Sequence, residues 1–397
     1  MITSLNSTST NANCNNSMDN TSDLDTDAPY SEVPRFDSLM DAINALSTDA
    51  HHPIIKSLDE VDLRPVSGGD INQASVLTLP NSKADLSQVA DNNDQTVQNQ
   101  SQNPQVFLKQ NTLNNAPLLF AEVDGLCAIA ATGARTCRPL AYGVDNKIGR
   151  SFLLLSMIQP YQGSRSDKDA GWYDLAKQLA TLHKAVPPQP DKASINSDSV
   201  EDENKQTATW YAGWFSDNYI GSNPQRNQWT ENWYEFFATQ RLGEQTKLAF
   251  DNHRISRQIL RQLENLQQKL SLYLPDYPLT DDGGQPRPSL LHGDLWAGNA
   301  MLGQADDYIG KDKAQQAVGY LIDPAVYVGH PETDLAMTQL FGGFSESFYE
   351  AYVAYGLTED GFADRVDIYN LYHYLNHLNL FGSGYLNAVE HIAKRYG

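Results

Sequence analysis

The chain has 397 residues, 40% of them hydrophobic and 19% charged, with a formal net charge of −21. That length sustains one large or two-lobed unit with its own core, and the acidity argues against nucleic acid and anionic membranes as partners. Three scattered cysteines, Cys14, Cys127 and Cys137, exclude a disulfide framework and offer no metal-ligand spacing. The first residues carry neither a basic nor an apolar leader segment, and no run reaches the ~18 apolar residues of a membrane span, so a cytoplasmic protein is expected.

Residues 1–34 are rich in Asn, Ser, Thr and Asp, a composition that predicts a disordered tail. From Phe36, the spacing of Leu39, Met40, Ile43 and Leu46 predicts a short amphipathic helix. Strands are expected near 60–66, 71–79 and 106–109, the last two separated by a polar insertion over 81–105. A helix follows over about 116–131, then a short buried strand at Phe152–Leu155. Beyond Gln159-Pro160 the pattern turns helical, with stripes through Trp172, Leu175, Leu179 and Leu182, through 234–248, through 254–272 and from 363 onward. Further polar insertions are expected at 185–208 and 303–317. The layout is α+β: a β-rich N-terminal lobe over 35–160 and a mostly α-helical C-terminal lobe over 161–397.

The sharpest motif is Leu291-His-Gly-Asp-Leu-Trp-Ala-Gly-Asn299, in which an apolar approach delivers Asp294 and then Asn299. Phosphoryl transfer needs positioning and charge neutralisation more than covalent help. A carboxylate that takes the hydroxyl proton, followed at this spacing by a neutral magnesium ligand, is the kinase catalytic-loop arrangement. A turn with a capping Asp would also account for it in isolation. Downstream, Tyr320-Leu-Ile-Asp323-Pro324 brings a second carboxylate to a strand end, suited to magnesium. Upstream, Lys109 lies on a predicted strand and Glu122 in the following helix, the order of a phosphate-binding lysine and the acid that orients it. Ser67-Gly68-Gly69-Asp70-Ile71-Asn72 fits a phosphate-covering turn or a plain hairpin.

Together these motifs resemble the fructosamine kinase, or ketosamine-3-kinase, family. The likeness runs from about residue 36 to 390 and includes Phe120-Ala-Glu122-Val-Asp-Gly125, Asp217-Asn218-Tyr-Ile-Gly221, Arg241-Leu242, Asp323-Pro-Ala-Val-Tyr327 and Glu332-Thr-Asp334. The Trp of His-Gly-Asp-Leu-Trp separates it from aminoglycoside phosphotransferases and choline kinases. The resemblance implies a protein-kinase-like bilobal fold and transfer of the ATP γ-phosphoryl group, with Mg2+, to O3 of a ketoamine on an amine or a protein lysine. Asp294 would be the base, Asn299 and Asp323 would hold the metal, and Lys109, Glu122 and residues 67–72 would bind nucleotide. Phe152–Gln159, with Met157, would form the hinge at adenine. Trp296, Asp217 and Asn218 would meet the substrate, or Trp296 would pack in the core, while His292 and Asp334 would support the loop. Other amine-bearing alcohols and a non-catalytic nucleotide-binding protein are the competing functions, and monomer and homodimer both stay open.

Overall fold

The structure is a computed structural model that describes residues 33–46, 57–66, 71–79, 105–191, 209–304 and 316–397. Residues 1–32 of the expected tail, Ser67 to Asp70 of the glycine-rich turn and most of the three expected insertions lie outside these residues.

The first lobe is a six-stranded sheet clasped between two helices. In chain order it comprises β1 (Arg35–Phe36), α1 (Leu39–Leu46), β2 (Asp62–Val66), β3 (Gln73–Thr78), β4 (Gln105–Thr112), α2 (Ala116–Ala131), β5 (Pro139–Asp145) and β6 (Arg150–Ser156). The strand order is β1-β5-β6-β4-β3-β2, antiparallel except for β1 beside β5. Side chains alternate across a strand, so β4 sends Val106 and Leu108 to the face under α1 and Phe107 to the face under α2. Lys109 shares the second face. On α2, Leu119, Glu122, Val123 and Leu126 follow helical spacing and are all buried. The same stripe that packs α2 on the sheet therefore aims Glu122 at Lys109.

The second lobe begins with α3 (Arg165–Lys184), whose N-terminus is capped by Ser164 accepting from the Asp167 amide. Next come β7 (Asn218–Ile220), β8 (Asn223–Gln225), α4 (Trp233–Phe236), a π-helical stretch at Phe237–Gly243, α5 (Glu244–Asp251) and α6 (Arg257–Gln267). Short pairs follow: β9 (Leu279–Thr280) with β10 (Pro286–Arg287), β12 (Ala300–Gln304) with β13 (Ala317–Leu321), and β11 (Ser289–Leu291) with β14 (Tyr327–Gly329). The chain closes with α7 (Glu332–Leu340), α8 (Glu346–Val353), α9 (Phe362–Phe381) and α10 (Leu386–Tyr396). One core, from Leu175 through Trp214, Phe236 and Tyr327 to Tyr369 and Tyr396, holds these elements together.

Residues 157–164 link the lobes and are pinned to β12, with the Tyr161 amide 2.9 Å from Leu302 O and the Gln304 amide 2.9 Å from Gln159 O. Helix α3 packs so closely on β13 that a Cβ on Gly319 would lie 2.4 Å from Leu175 Cα. Several expectations change at their edges. Gly303, Gln304 and Ala317, read as insertion, are ladder residues of the β12–β13 hairpin. The continuous helix expected over 234–248 is α-helix, π-turn and α-helix in succession. Among the described residues no helix is long and apolar enough to cross a membrane.

Candidate active site

The site forms where α2 and β4 of the first lobe meet the turns after β11 and β13 of the second. Lys109 Nζ donates to Glu122 Oε1 at 2.7 Å and, on its other side, to Asp323 Oδ1. Burial works against the ammonium, but the carboxylates of Asp323 and Glu122 outweigh it and hold Lys109 charged. Burial alone would raise Asp323; Lys109 outweighs it and keeps the carboxylate below its ordinary value. Glu122 is pushed up by burial, against the pull of Lys109. The Asp323 side chain keeps 43% of its surface open, so the ammonium covers only part of it.

Asp323 has a left-handed backbone, φ 53°, outside a glycine, a conformation that the surrounding structure has to enforce. Its neighbours supply that enforcement. The Ile322 amide bonds Asn299 O at 3.0 Å, and the Ala325 amide bonds His292 O at 2.8 Å. His292 donates from Nε2 to Ile322 O at 2.8 Å, and its Nδ1 accepts from the Asp294 amide at 3.3 Å. Burial lowers the His292 pKa, which keeps the ring neutral in this two-sided role. His292 thus ties the two carboxylate-bearing turns to each other.

Asn299 Nδ2 bonds Asp294 O at 2.8 Å, Asp294 Oδ2 at 3.1 Å and Asp323 O at 3.4 Å. Its nitrogen is committed to the loop, which leaves its amide oxygen as the donor available to a cation. Burial and the negative charge of Asp323 push Asp294 up to about 7, although Asn299 opposes the shift. A carboxylate poised there is matched to proton transfer near neutrality.

Beneath the loop, the buried carboxylate of Asp334, third residue of α7, accepts the His292 amide at 2.6 Å and the Gly293 amide at 2.8 Å. Gly293 has φ 83°, and a Cβ there would sit 2.0 Å from Ala325 O, so only glycine fits. Asp334 also accepts from His183 Nε2 at 3.0 Å, while His183 Nδ1 takes the Tyr352 hydroxyl at 2.6 Å.

Of the residues expected on the nucleotide side, Ile71 and Asn72 are held by Asn111, whose amide bonds Ile71 O at 3.1 Å and Asn72 Oδ1 at 2.7 Å. Met157 lies in the linker just past β6. Trp296 is not a core residue: it is 39% exposed and lies over Gly298, where a Cβ would come within 2.3 Å of the indole. Asp217 is committed to Arg226 Nη1 at 2.5 Å and to the Asn227 amide at 2.8 Å. Asn218, expected at the substrate entrance, is buried, and its Nδ2 bonds Val326 O at 2.8 Å. It braces the turn after Asp323, because a polar side chain at this depth must spend its bonds on neighbouring backbone.

That brace extends to residues given no role from the sequence. Gln225 Nε2 bonds Asn218 Oδ1 at 2.8 Å and Ala325 O at 3.1 Å, and Tyr372 donates to Gln225 Oε1 at 2.7 Å. The fully buried Arg241, in the π-turn, bonds Arg226 O at 2.6 Å and Asn227 Oδ1 at 2.7 Å, with its guanidinium 3.9 Å from the Tyr327 ring centre. Asp124, two residues past Glu122, accepts the Trp214 indole at 2.7 Å and so latches α2 to the second lobe.

Comparison with known proteins bears on the family and the fold. Residues 42–396 match the family model described as fructosamine kinase. The chain is 33% identical to the ketosamine-3-kinase of Mus musculus over 73% of this chain and 88% of that one. It is 34% identical to the chloroplastic protein-ribulosamine 3-kinase of Arabidopsis thaliana over 73% of this chain and 75% of that one. A crystal structure assigned as a fructosamine-3-kinase of Haemophilus somnus 129PT superimposes with TM-score 0.61 at 22% identity, covering 85% of this chain and 91% of that one. The aminoglycoside phosphotransferase APH(4)-Ia (D198A variant) superimposes with TM-score 0.51 at 12% identity, covering 85% and 96%; at these identities the two structures establish the protein-kinase-like fold alone.

Proposed function

This chain belongs to the fructosamine kinase family, and we propose that it transfers the γ-phosphoryl group of ATP to O3 of a ketoamine of the ribulosamine or fructosamine type. The relatives named for ketosamine and ribulosamine support the substrate class. The observation that carries the reading is the unbroken chain Glu122–Lys109–Asp323–Asn299–Asp294, which joins a cation for phosphates, oxygen donors for a metal and a poised carboxylate.

In this reading Asp294 orients the sugar hydroxyl and takes its proton as the oxygen bonds to the γ-phosphorus. The bond from γ-phosphorus to the bridging oxygen breaks, and ADP leaves. Lys109, fixed by Glu122, holds the α- and β-phosphates, and the linker around Met157 meets adenine. The donor set fits magnesium: Asn299 offers a neutral amide oxygen and Asp323 a carboxylate, both hard ligands. Among the described residues no cluster of three or more His, Cys, Asp or Glu side chains forms a metal site, consistent with an ion held jointly with nucleotide phosphates. When bound, such an ion neutralises charge on the phosphates. The phosphorylated ketoamine sheds its sugar part and frees the amine, so the outcome is deglycation.

ADP release measured with magnesium over ribulosamines, fructosamines, free amines and aminoglycosides tests the proposal. Turnover confined to ketoamines is expected; turnover on aminoglycosides alone would replace the substrate class.

A further inference from the structure

The loop that carries Asp294 leaves an aromatic ring, Trp296, partly exposed, and that ring begins a row. Trp296 meets Phe341 edge-on, with ring centres 6.2 Å apart at 81°. Phe341 meets His377 at 5.0 Å, and His377 meets Phe381 at 5.5 Å and Tyr385 at 5.1 Å. Phe341 is 44% and Phe381 56% exposed. Three segments far apart in sequence thus leave a continuous run of large rings open, a feature that marks binding surfaces more than it marks folding.

The position of the row is fixed at both ends. A Cβ on Gly343 would lie 2.6 Å from Ala297 Cβ, so the turn carrying Phe341 rests against the catalytic loop. At the other end, Leu380, beside Phe381, comes within 2.8 Å of the Cβ position of Gly221, and Ile71 within 3.7 Å of the same position. Ile71 directly follows the glycine-rich turn. The row therefore runs from Asp294's own loop to the place where the two lobes meet. His377 adds a polar handle. Its Nδ1 donates to His373 O at 2.8 Å, which leaves Nε2 as a lone-pair acceptor, and burial lowers its pKa so that it stays neutral.

We propose that this row, Trp296–Phe341–His377–Phe381, seats the amine half of the acceptor and sets its specificity. The inference rests on the ketoamine reading. A ketoamine carries a secondary ammonium between its sugar and its alkyl chain. Ring faces attract such a cation, and the acceptor nitrogen of His377 takes one of its N–H bonds. The alkyl chain lies along Phe381. The guanidinium of Arg254, 3.4 Å from the Cβ position of Gly382, stands at the outer end and repels the cation there; the ammonium belongs at the Trp296–Phe341 end, next to the reacting sugar. The preferred substrate is then an alkylamine adduct with a long apolar spacer, the form that a glycated lysine presents.

Steady-state kinetics on the full chain tests this with ribulose adducts of methylamine and of Nα-acetyl-lysine. Phe341→Leu is expected to raise the ketoamine KM about two- to thirtyfold for both adducts, the range of a lost cation–ring contact, with the loss in KM rather than kcat and with the KM for ATP unmoved. Phe341→Tyr, which keeps the ring face, should restore the wild-type KM. Phe381→Ser should raise KM more for the lysine adduct than for the methylamine adduct. Unchanged KM values in Phe341→Leu and Phe381→Ser, or losses confined to kcat, would overturn the seat while leaving ketoamine turnover standing. A wild-type enzyme that turns over no ketoamine would instead remove the reading beneath it.

Discussion

Asp334→Asn removes one charge and replaces an acceptor oxygen with an NH2 donor, and the structure sets its cost. The carboxylate accepts the His292 and Gly293 amides and the His183 ring from a buried position. An asparagine has one acceptor oxygen, so in its better orientation it keeps the His292 and His183 bonds and turns its NH2 against the Gly293 amide. Leaving that buried donor unpaired costs about 1–3 kcal/mol, and reducing the other two bonds from charge-assisted to neutral costs about 1 kcal/mol each. The sum is about 3–5 kcal/mol, or a fall in Tm of roughly 6–10 °C at about 2 °C per kcal/mol for a chain of this size. Because Gly293 directly precedes Asp294, the proposed base, a displacement of ~1 Å there should lower kcat by about a hundredfold. The pH dependence has a defined sign. Burial alone would raise Asp334, but the hydrogen bond from His183 and the other contacts outweigh it and depress the folded value. Its stabilisation is present above the unfolded value of about 4 and lost as pH falls through the folded one, so the wild-type advantage should shrink in acid. Thermal unfolding and initial rates across pH would check this; a variant that melts within 2 °C of wild type, with kcat intact, would refute the reasoning.

Other outcomes follow from the same geometry. Asp294→Ala should lose about a hundred- to ten-thousandfold in kcat while nucleotide binding persists, and the wild-type kcat/KM should rise with pH through a midpoint near 7 as that carboxylate ionises; a flat profile between pH 6 and 8 would remove the assignment. Asp323→Asn should raise the magnesium concentration needed for half-maximal activity and weaken nucleotide binding measured calorimetrically with magnesium, and an unchanged requirement would count against it. Arg241→Met should destabilise by about 2–4 kcal/mol, since it leaves Arg226 O and the Asn227 amide oxygen without their donor; denaturant unfolding would measure it.

The residues that the structure brings together at the candidate site were legible in the sequence because each sits at fixed spacing in a short motif: Asp294 with Asn299, Asp323 at a strand end, Lys109 ahead of Glu122. The order of a strand lysine followed by a helical acid also implied that the last two could meet. What supports them was not legible. His183 and Asp334 stand 151 residues apart, and His183 and Tyr352 stand 169 apart, and no local pattern encodes such pairs. Asn218 was expected to meet the substrate on the strength of its motif, yet tertiary packing buries it under the Asp323 turn. Arg241 was visible in a matched motif but without a role; a buried guanidinium held by carbonyls and ring faces has no carboxylate partner in the sequence to announce it. Strand β5 went unread because Pro139 and Gly143 interrupt it; a Cβ on Gly143 would lie 1.7 Å from Phe36 O, so that glycine admits β1 beside the strand.

The most direct test of the account is the site of phosphorylation. After incubation of the purified chain with ATP, magnesium and ribulose-lysine, phosphorus and proton NMR should place the new phosphate on O3 and then follow release of free lysine as the sugar is shed. Phosphate on another hydroxyl with a stable product, or ATP consumed with no phosphorylated ketoamine formed, would contradict it.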